Sequence, residues 1–323
     1  MITRRFFLAS AGALILSRHA SAEPAKIWHI GWLAPETPEA ELYLQAFTEE
    51  LRTFGYIEGQ NIVIEHRSSA GRTEALPALA EELVQLNVDV IVAPTTPVAR
   101  AAKAATSSIP IVFTIVSDPI GSGLVDSFPR PGGNVTGMTD MGVDLVAKQL
   151  NLLEQVIPRL RRVGVLGHPP DKVWDGVWPE AREAARQLRI AIVPVLIRTK
   201  NDFEPAFAGL NSRVQALIVS PQAFFSAHRA KLIELELSSR LPAIHELRGY
   251  PDKGALMSYG PDYTAIIRKA ARHVDKILRG ARPADLPVEQ PTEYGLVINL
   301  KTAKALGITI PQSILVRADD VIR

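Results

Sequence analysis

From Ile27 onward the chain alternates short apolar runs, rich in β-branched residues, with longer stretches whose apolar positions recur every three to four residues. The first pattern predicts buried strands and the second amphipathic helices. Strands are expected at 27–33, 61–66, 88–93, 111–116, 162–167, 190–196, 216–220 and 254–258. Between them, Leu44, Phe47, Leu51 and Phe54 share one helical face, as do Leu76, Leu79, Leu83 and Leu86, and again Ile267, Ala270, Val274 and Ile277. These stripes are expected to be core. Strand and helix in alternation is the pattern of a parallel-sheet α/β fold.

One segment breaks the rhythm near mid-chain: "FPRPGGNVTGMTD", residues 128–140, is dense in turn-forming Pro and Gly. A crossing between two domains there would leave a comparable sheet on each side. No fixed-period repeat or low-complexity tract accompanies it.

The N-terminus adds a destination. Arg4 and Arg5, an apolar run from 6 to 16 and the small exit Ala20-Ser21-Ala22 form the three parts of an export signal. The arginine pair before Phe6-Phe7-Leu8 resembles the twin-arginine variant. The run falls short of the about 20 residues that a membrane span requires. Cleavage after Ala22 would leave 301 of 323 residues, enough for two α/β domains. Removing Arg4, Arg5 and Arg18, with no acid, takes the formal charge from +2 to −1. A near-neutral mature chain without a basic block argues against nucleic acid or an anionic membrane as partner. The absence of cysteine excludes disulfides, zinc-thiolate sites, a thiol nucleophile and a lipid-modified cysteine.

In open parallel sheets, ligands bind beyond the carboxyl ends of the strands, so the loops there carry the candidates. Thr37, before Pro38, reads as a helix cap that also suits a cleft wall. Thr95 and Thr96, before Pro97, head another helix, whose free N–H groups suit a ligand carboxylate. Asp118 either accepts a hydrogen bond from a ligand ammonium or hydroxyl, or ties its own turn. Trp174 and Trp178 share a helical face and either pack beneath a loop or stack on a ligand ring. Phe224 and Phe225 are adjacent at a helix start and cannot both enter the core, which leaves Phe224 as a cleft candidate. Tyr259 offers a ring and a hydroxyl at a strand end, or packs there. "GSG" at 121–123 lacks the rest of a dinucleotide fingerprint, no nucleophile or metalloprotease motif occurs, and the seven histidines have no metal-ligand spacing. No catalytic residue, metal or cofactor is expected.

The C-terminal fifth, "GALMSYGPDY" followed by "ILRGARPADLPVEQPTEYGLVINLKTAKALGITIPQSILVRADDVIR", together with "SDPIGSGLV" and "PRPGGNVTG", closely resembles the periplasmic substrate-binding components of ABC transporters. The similar family includes the tryptophan/tyrosine binding proteins, and the likeness covers nearly the whole chain after residue 25. It implies a type I periplasmic binding protein fold, α/β, with two doubly wound parallel-sheet lobes joined by a three-stranded hinge. Lobe one would be 23–138 plus 261–284, and lobe two 139–260 plus 285–323. The resemblance further implies a soluble, monomeric periplasmic carrier that closes on a small organic ligand and presents it to a membrane permease. Thr96 matches a ligand-facing family position. Two features depart from the family. "GHPPDKVWDGVWPE" replaces an Asn/Ser-rich turn, and Gln222 stands where the amino-acid branch tends to carry Asp, which weakens the case for a free α-amino group. The alternatives are a sensor partner of a signalling receptor, distinguished by a neighbouring kinase gene, and an α/β enzyme, distinguished by turnover.

Overall fold

The computed structural model describes residues 26–35 and 39–323. The export signal and Thr37 lie outside the described residues. Two parallel-dominated sheets carry the architecture. The first half contains β1 (Trp28–Ala34), α1 (Ala40–Thr53), β2 (Ile62–Ser68), α2 (Leu76–Gln85), β3 (Val90–Ala93), α3 (Thr96–Ala105), β4 (Ile111–Val116) and β5 (Val135–Thr139). The second runs through α4 (Gly142–Val156), β6 (Arg162–Gly167), α5 (Val173–Leu188), β7 (Ala191–Leu196), α6 (Phe203–Phe207), β8 (Ala216–Val219), α7 (Ala223–Ala227), α8 (Arg229–Ser238), β9 (Ala243–His245), α9 (Gly249–Asp252) and β10 (Met257–Pro261). It closes with α10 (Tyr263–Leu278), β11 (Tyr294–Asn299), α11 (Leu300–Leu306), α12 (Gln312–Leu315) and β12 (Asp320–Ile322).

The first sheet has the order β2-β1-β3-β4-β5, and the second β12-β11-β10-β9-β8-β6-β7. All pairs are parallel except β10 with β11. In each lobe the second strand lies outside the first and the later strands continue on the other side, so the order reverses between β1 and β3 and between β6 and β8. A ligand crevice opens where neighbouring connections diverge in this way.

The helical stripes supply the cores. Ile267, Ala270, Val274 and Ile277 are all buried, packed with Phe47 and Leu51 of α1 against β1 and β3. Thus α10, although it follows β10, covers the first sheet. Each fully buried aliphatic side chain contributes about 1.5–3 kcal/mol, so this one helix anchors the chain's return firmly. Leu86 is an exception to its stripe at 44% exposed, because α2 ends at Gln85 and Leu86 turns outward as its cap.

Four strands were not among the expected ones: β5, β9, β11 and β12. β5 begins inside the "NVTG" that reads as turn, and β9 and β12 have three residues each, too short for a periodic signal. The chain passes between lobes after β5, after β10 and before β11. Hydrogen bonds from Glu289 N to Gly137 O (3.0 Å) and from Thr139 N to Glu289 O (3.0 Å) bind the first and third crossings together. Among the described residues no helix is long and apolar enough to cross a membrane.

Candidate functional site

A cleft of about 830 Å³ of empty space, counting its open mouth, separates the lobes. Its walls are the carboxyl ends of the parallel strands: Trp32 and Ala34 from β1, Thr95 after β3, Ser117 after β4, Asp171 after β6, Ser220 after β8, His245 and Glu246 at β9.

The cleft has two unlike ends. At one end, α3 begins with Thr95 as its N-cap residue, yet the Thr95 side chain caps nothing. Its Oγ1 is buried without a partner, while Thr96, only 3% exposed, lines the same wall. Capping therefore does not account for Thr95. Opposite stands Asp171, whose Oδ1 accepts from Val173 N (3.1 Å). Burial pushes the Asp171 carboxyl up to about 6, against the lowering effects of that hydrogen bond and of Arg100 in α3. Between the ends, Asp140 accepts from Gly142 N (2.9 Å) and from the Ser117 hydroxyl (3.2 Å). Burial pushes its carboxyl up to about 6 as well.

The other end is aromatic. Trp32 packs on Phe47 with ring centroids 5.0 Å apart, and its indole Nε1 is buried without a partner. Tyr43 and Tyr263 lie 6.5 Å apart, and Tyr250 stacks on His245 at 3.9 Å. Glu246 sits beside Tyr263, and burial, reinforced by Asp140, holds its carboxyl well above the usual range. On this side Glu39, which lines the cleft at the start of α1, forms an ion pair with Arg229, at the start of α8.

Four atoms of cleft residues have no hydrogen-bond partner among the described residues: Trp32 Nε1, Thr95 Oγ1, His245 Nδ1 and Glu246 Oε1. A buried polar atom without a partner costs about 1–3 kcal/mol, so their convergence on one cavity points to a polar ligand that satisfies them. Among the described residues, no group of three or more His, Asp or Glu side chains is arranged to hold a metal ion.

Of the residues singled out from the sequence, Thr95 and Thr96 line the cleft. The others stand elsewhere. Asp118 ties its own turn by accepting from Gly121 N (2.7 Å). Trp174 stacks on Trp178 (5.5 Å) and packs against the second-lobe core. Phe224 stacks on His168 at 4.0 Å while Phe225 takes the core position. Tyr259 stacks on Tyr294 across the hinge strands at 6.0 Å. None of these four is among the residues lining the cleft. Gln222 does line it, but its amide is consumed in holding the loop after β6: it accepts from His168 N (2.7 Å) and donates to His168 O (2.8 Å). The carboxyls that Gln222 does not supply come from Asp140, Asp171 and Glu246.

Sequence reasoning missed Trp32, Tyr43, Asp140, Asp171, His245, Glu246 and Tyr250. Asp140 directly follows β5, whose "VTGMT" lies in the segment that reads as turn, while His245 ends and Glu246 follows β9, a strand too short for a periodic signal. Trp32 was visible only as one apolar residue inside a strand. Because Trp32 and not Trp174 faces the cleft, a saturating ligand is expected to change the tryptophan fluorescence of the wild-type protein and of Trp174→Phe, and to lose that effect in Trp32→Phe. An undiminished change in Trp32→Phe would contradict this geometry.

Residues 36–322 match the ABC transporter substrate binding protein family. A tyrosine-binding protein of Clostridioides difficile (strain R20291) is 29% identical over 274 residues, covering 84% of this chain and 79% of that protein. The structure of an ABC domain from Streptococcus pneumonia in complex with L-Trp is 26% identical with a TM-score of 0.87, over 92% of this chain and all 100% of that one. The ligand-free, open structure of a substrate binding protein with adhesive properties from Clostridium difficile is 27% identical with a TM-score of 0.69, over 92% of this chain and 99% of that one. The chain belongs to the ABC transporter substrate binding protein family.

Proposed function

We propose that the chain is the exported, periplasmic solute-binding component of an ABC uptake system, and that it captures an aromatic amino acid or a related small metabolite between its lobes. The observation that carries this reading is the division of the orphaned atoms. The donors Trp32 Nε1 and Thr95 Oγ1 belong to the first lobe, and His245 Nδ1 and Glu246 Oε1 to the second. A zwitterion bridges such walls: its carboxylate meets Thr95 and the free amides heading α3, its ammonium meets Asp140 and Asp171, and its ring lies among Trp32, Tyr43, Tyr250 and Tyr263. A ligand held by both lobes stabilises the closed form over the open one, and the permease reads that shift. The L-Trp complex and the tyrosine-binding relative support the choice of ligand class.

The raised carboxyls give the test a direction. Asp140 and Asp171 are protonated below about 6 in the free protein and ionised above it. An ammonium prefers the ionised forms, so affinity for an aromatic amino acid rises with pH through that window. Titration calorimetry is expected to show about tenfold tighter binding at pH 7 than at pH 5, whereas the desamino analogue gains nothing. Equal pH dependence for both would remove the ammonium from this place, and failure of all aromatic amino acids to bind would overturn the ligand class.

A further inference from the structure

His245 is 1% exposed and lies at the aromatic end of the cleft. It is held on three sides. Its ring stacks on Tyr250 with 15° between planes, its backbone carbonyl accepts from the Gln149 amide (3.5 Å), and its Nε2 lies 3.1 Å from Glu236 Oε2. Glu236 belongs to α8, is 2% exposed, and does not line the cleft. An ionised carboxylate only accepts, so in the neutral imidazole the proton lies on Nε2 and the lone pair on Nδ1. That Nδ1 is buried and has no partner among the described residues.

We infer that His245 is a specificity-determining residue, positioned by Glu236, whose Nδ1 accepts a hydrogen bond from an N–H or O–H on the ligand's aromatic ring. This rests on the amino-acid reading above and deepens it. The surrounding rings of Tyr43, Tyr250 and Tyr263 accept any flat apolar group of suitable size, so burial alone does not discriminate between ring types. The lone pair does. A ring carrying a donor satisfies it, whereas a plain benzyl ring leaves it desolvated and unpaired, a penalty of the kind that makes hydrogen-bonding sites reject analogues lacking the donor. The device uses a side chain outside the cleft to set the chemistry of one inside it. A neutral histidine without Glu236 could place its proton on either nitrogen and would present a donor as readily as an acceptor.

The test is the affinity of the purified protein for L-tyrosine, L-tryptophan and L-phenylalanine, measured by calorimetry for wild type, His245→Phe and Glu236→Gln. Wild type is expected to bind tyrosine or tryptophan about 10- to 100-fold more tightly than phenylalanine, the range of one unsatisfied buried group. His245→Phe keeps the stack on Tyr250 and is expected to bring the ratio close to one chiefly by weakening the donor-bearing ligands. Glu236→Gln reduces the ratio without touching ligand, and nitrogen-15 NMR of His245 is expected to shift from the Nε2-protonated form of wild type toward a mixture. Equal wild-type affinity for phenylalanine and both donor-bearing ligands overturns the inference while leaving the amino-acid reading intact. Binding of none of the three overturns both. The wild-type comparison needs no variant to fold, and thermal unfolding of the two variants reports whether their ratios can be compared with it.

Discussion

Replacing Arg229 by methionine is expected to weaken ligand binding by roughly 30- to 100-fold without removing a ligand contact. Arg229 and Glu39 come from opposite lobes and pair across the cleft, with side chains 8% and 17% exposed. The guanidinium also lies over the Tyr250 ring, 5.0 Å from its centroid. Separating the lobes would return both charges to water. Loss of the cation therefore penalises the closed form alone, by leaving the Glu39 carboxylate partly buried and unpaired. Breaking a buried pair in this way costs about 3–5 kcal/mol, and the residual exposure of Glu39 reduces the figure to about 2–3 kcal/mol. That free energy is subtracted from closure and appears in full as affinity. Calorimetry should show the loss, and small-angle scattering at a fixed, wild-type-saturating ligand concentration should show a larger mean lobe separation. The double variant Glu39→Gln with Arg229→Met removes the stranded charge and should recover most of the affinity. If Arg229→Met binds as tightly as wild type, the pair is not a determinant of closure.

The second large effect concerns folding. Gly137 lies in β5, where it pairs with Phe113 of β4 at the point after which the register shifts. Its φ is +151°, and a Cβ built there would stand 2.0 Å from the Phe113 carbonyl oxygen and 2.7 Å from the Phe113 nitrogen. No side-chain rotation relieves a collision with backbone. Because Glu289 donates to the Gly137 carbonyl, displacement of β5 also disturbs the crossing from lobe one to lobe two. Gly137→Ala is expected to lose at least about 4 kcal/mol, the range reserved for such defined steric failures. Gly55, at φ +90°, has nothing within 4 Å of its hypothetical Cβ. Its alanine variant bears only the conformational cost, about 1 kcal/mol. Urea unfolding of the two variants side by side measures the difference. Similar midpoints would show that β4 and β5 can separate at little cost.

Both expectations bear on what could be read before folding was known. The stripe on α10 was legible because Ile267, Ala270, Val274 and Ile277 repeat at helical spacing and all four are buried. Thr95 and Thr96 were legible because a Thr-Thr-Pro after a β-rich run is both a helix start and a strand end. Asp118 was equally conspicuous by the same reasoning, but its own Gly121 N–H satisfies it, and the local sequence does not distinguish these outcomes. Phe224 and Trp174 illustrate a related limit. Adjacent or helix-spaced aromatics reveal that some ring leaves the core, not whether it meets a ligand or, as here, a neighbouring His168 or Trp178.

By itself, the sequence determined the alternation of strands and helices, the core faces of the long helices and, through its C-terminal motifs, the family and with it the fold. Each of these is written in neighbouring residues: periodicity, turn chemistry and contiguous motif are local properties. The tertiary structure alone decided the site. Trp32, Asp140, Asp171, His245 and Glu246 come from four strand ends on two sheets, and none has a distinctive local context. Glu39 and Arg229 are 190 positions apart and become partners only across the closed cleft. Burial is what gives these ordinary residues their chemistry, by stripping water from Asp140 and Asp171 and by leaving single atoms of Trp32, Thr95 and His245 without partners. Burial is a property of how the lobes meet.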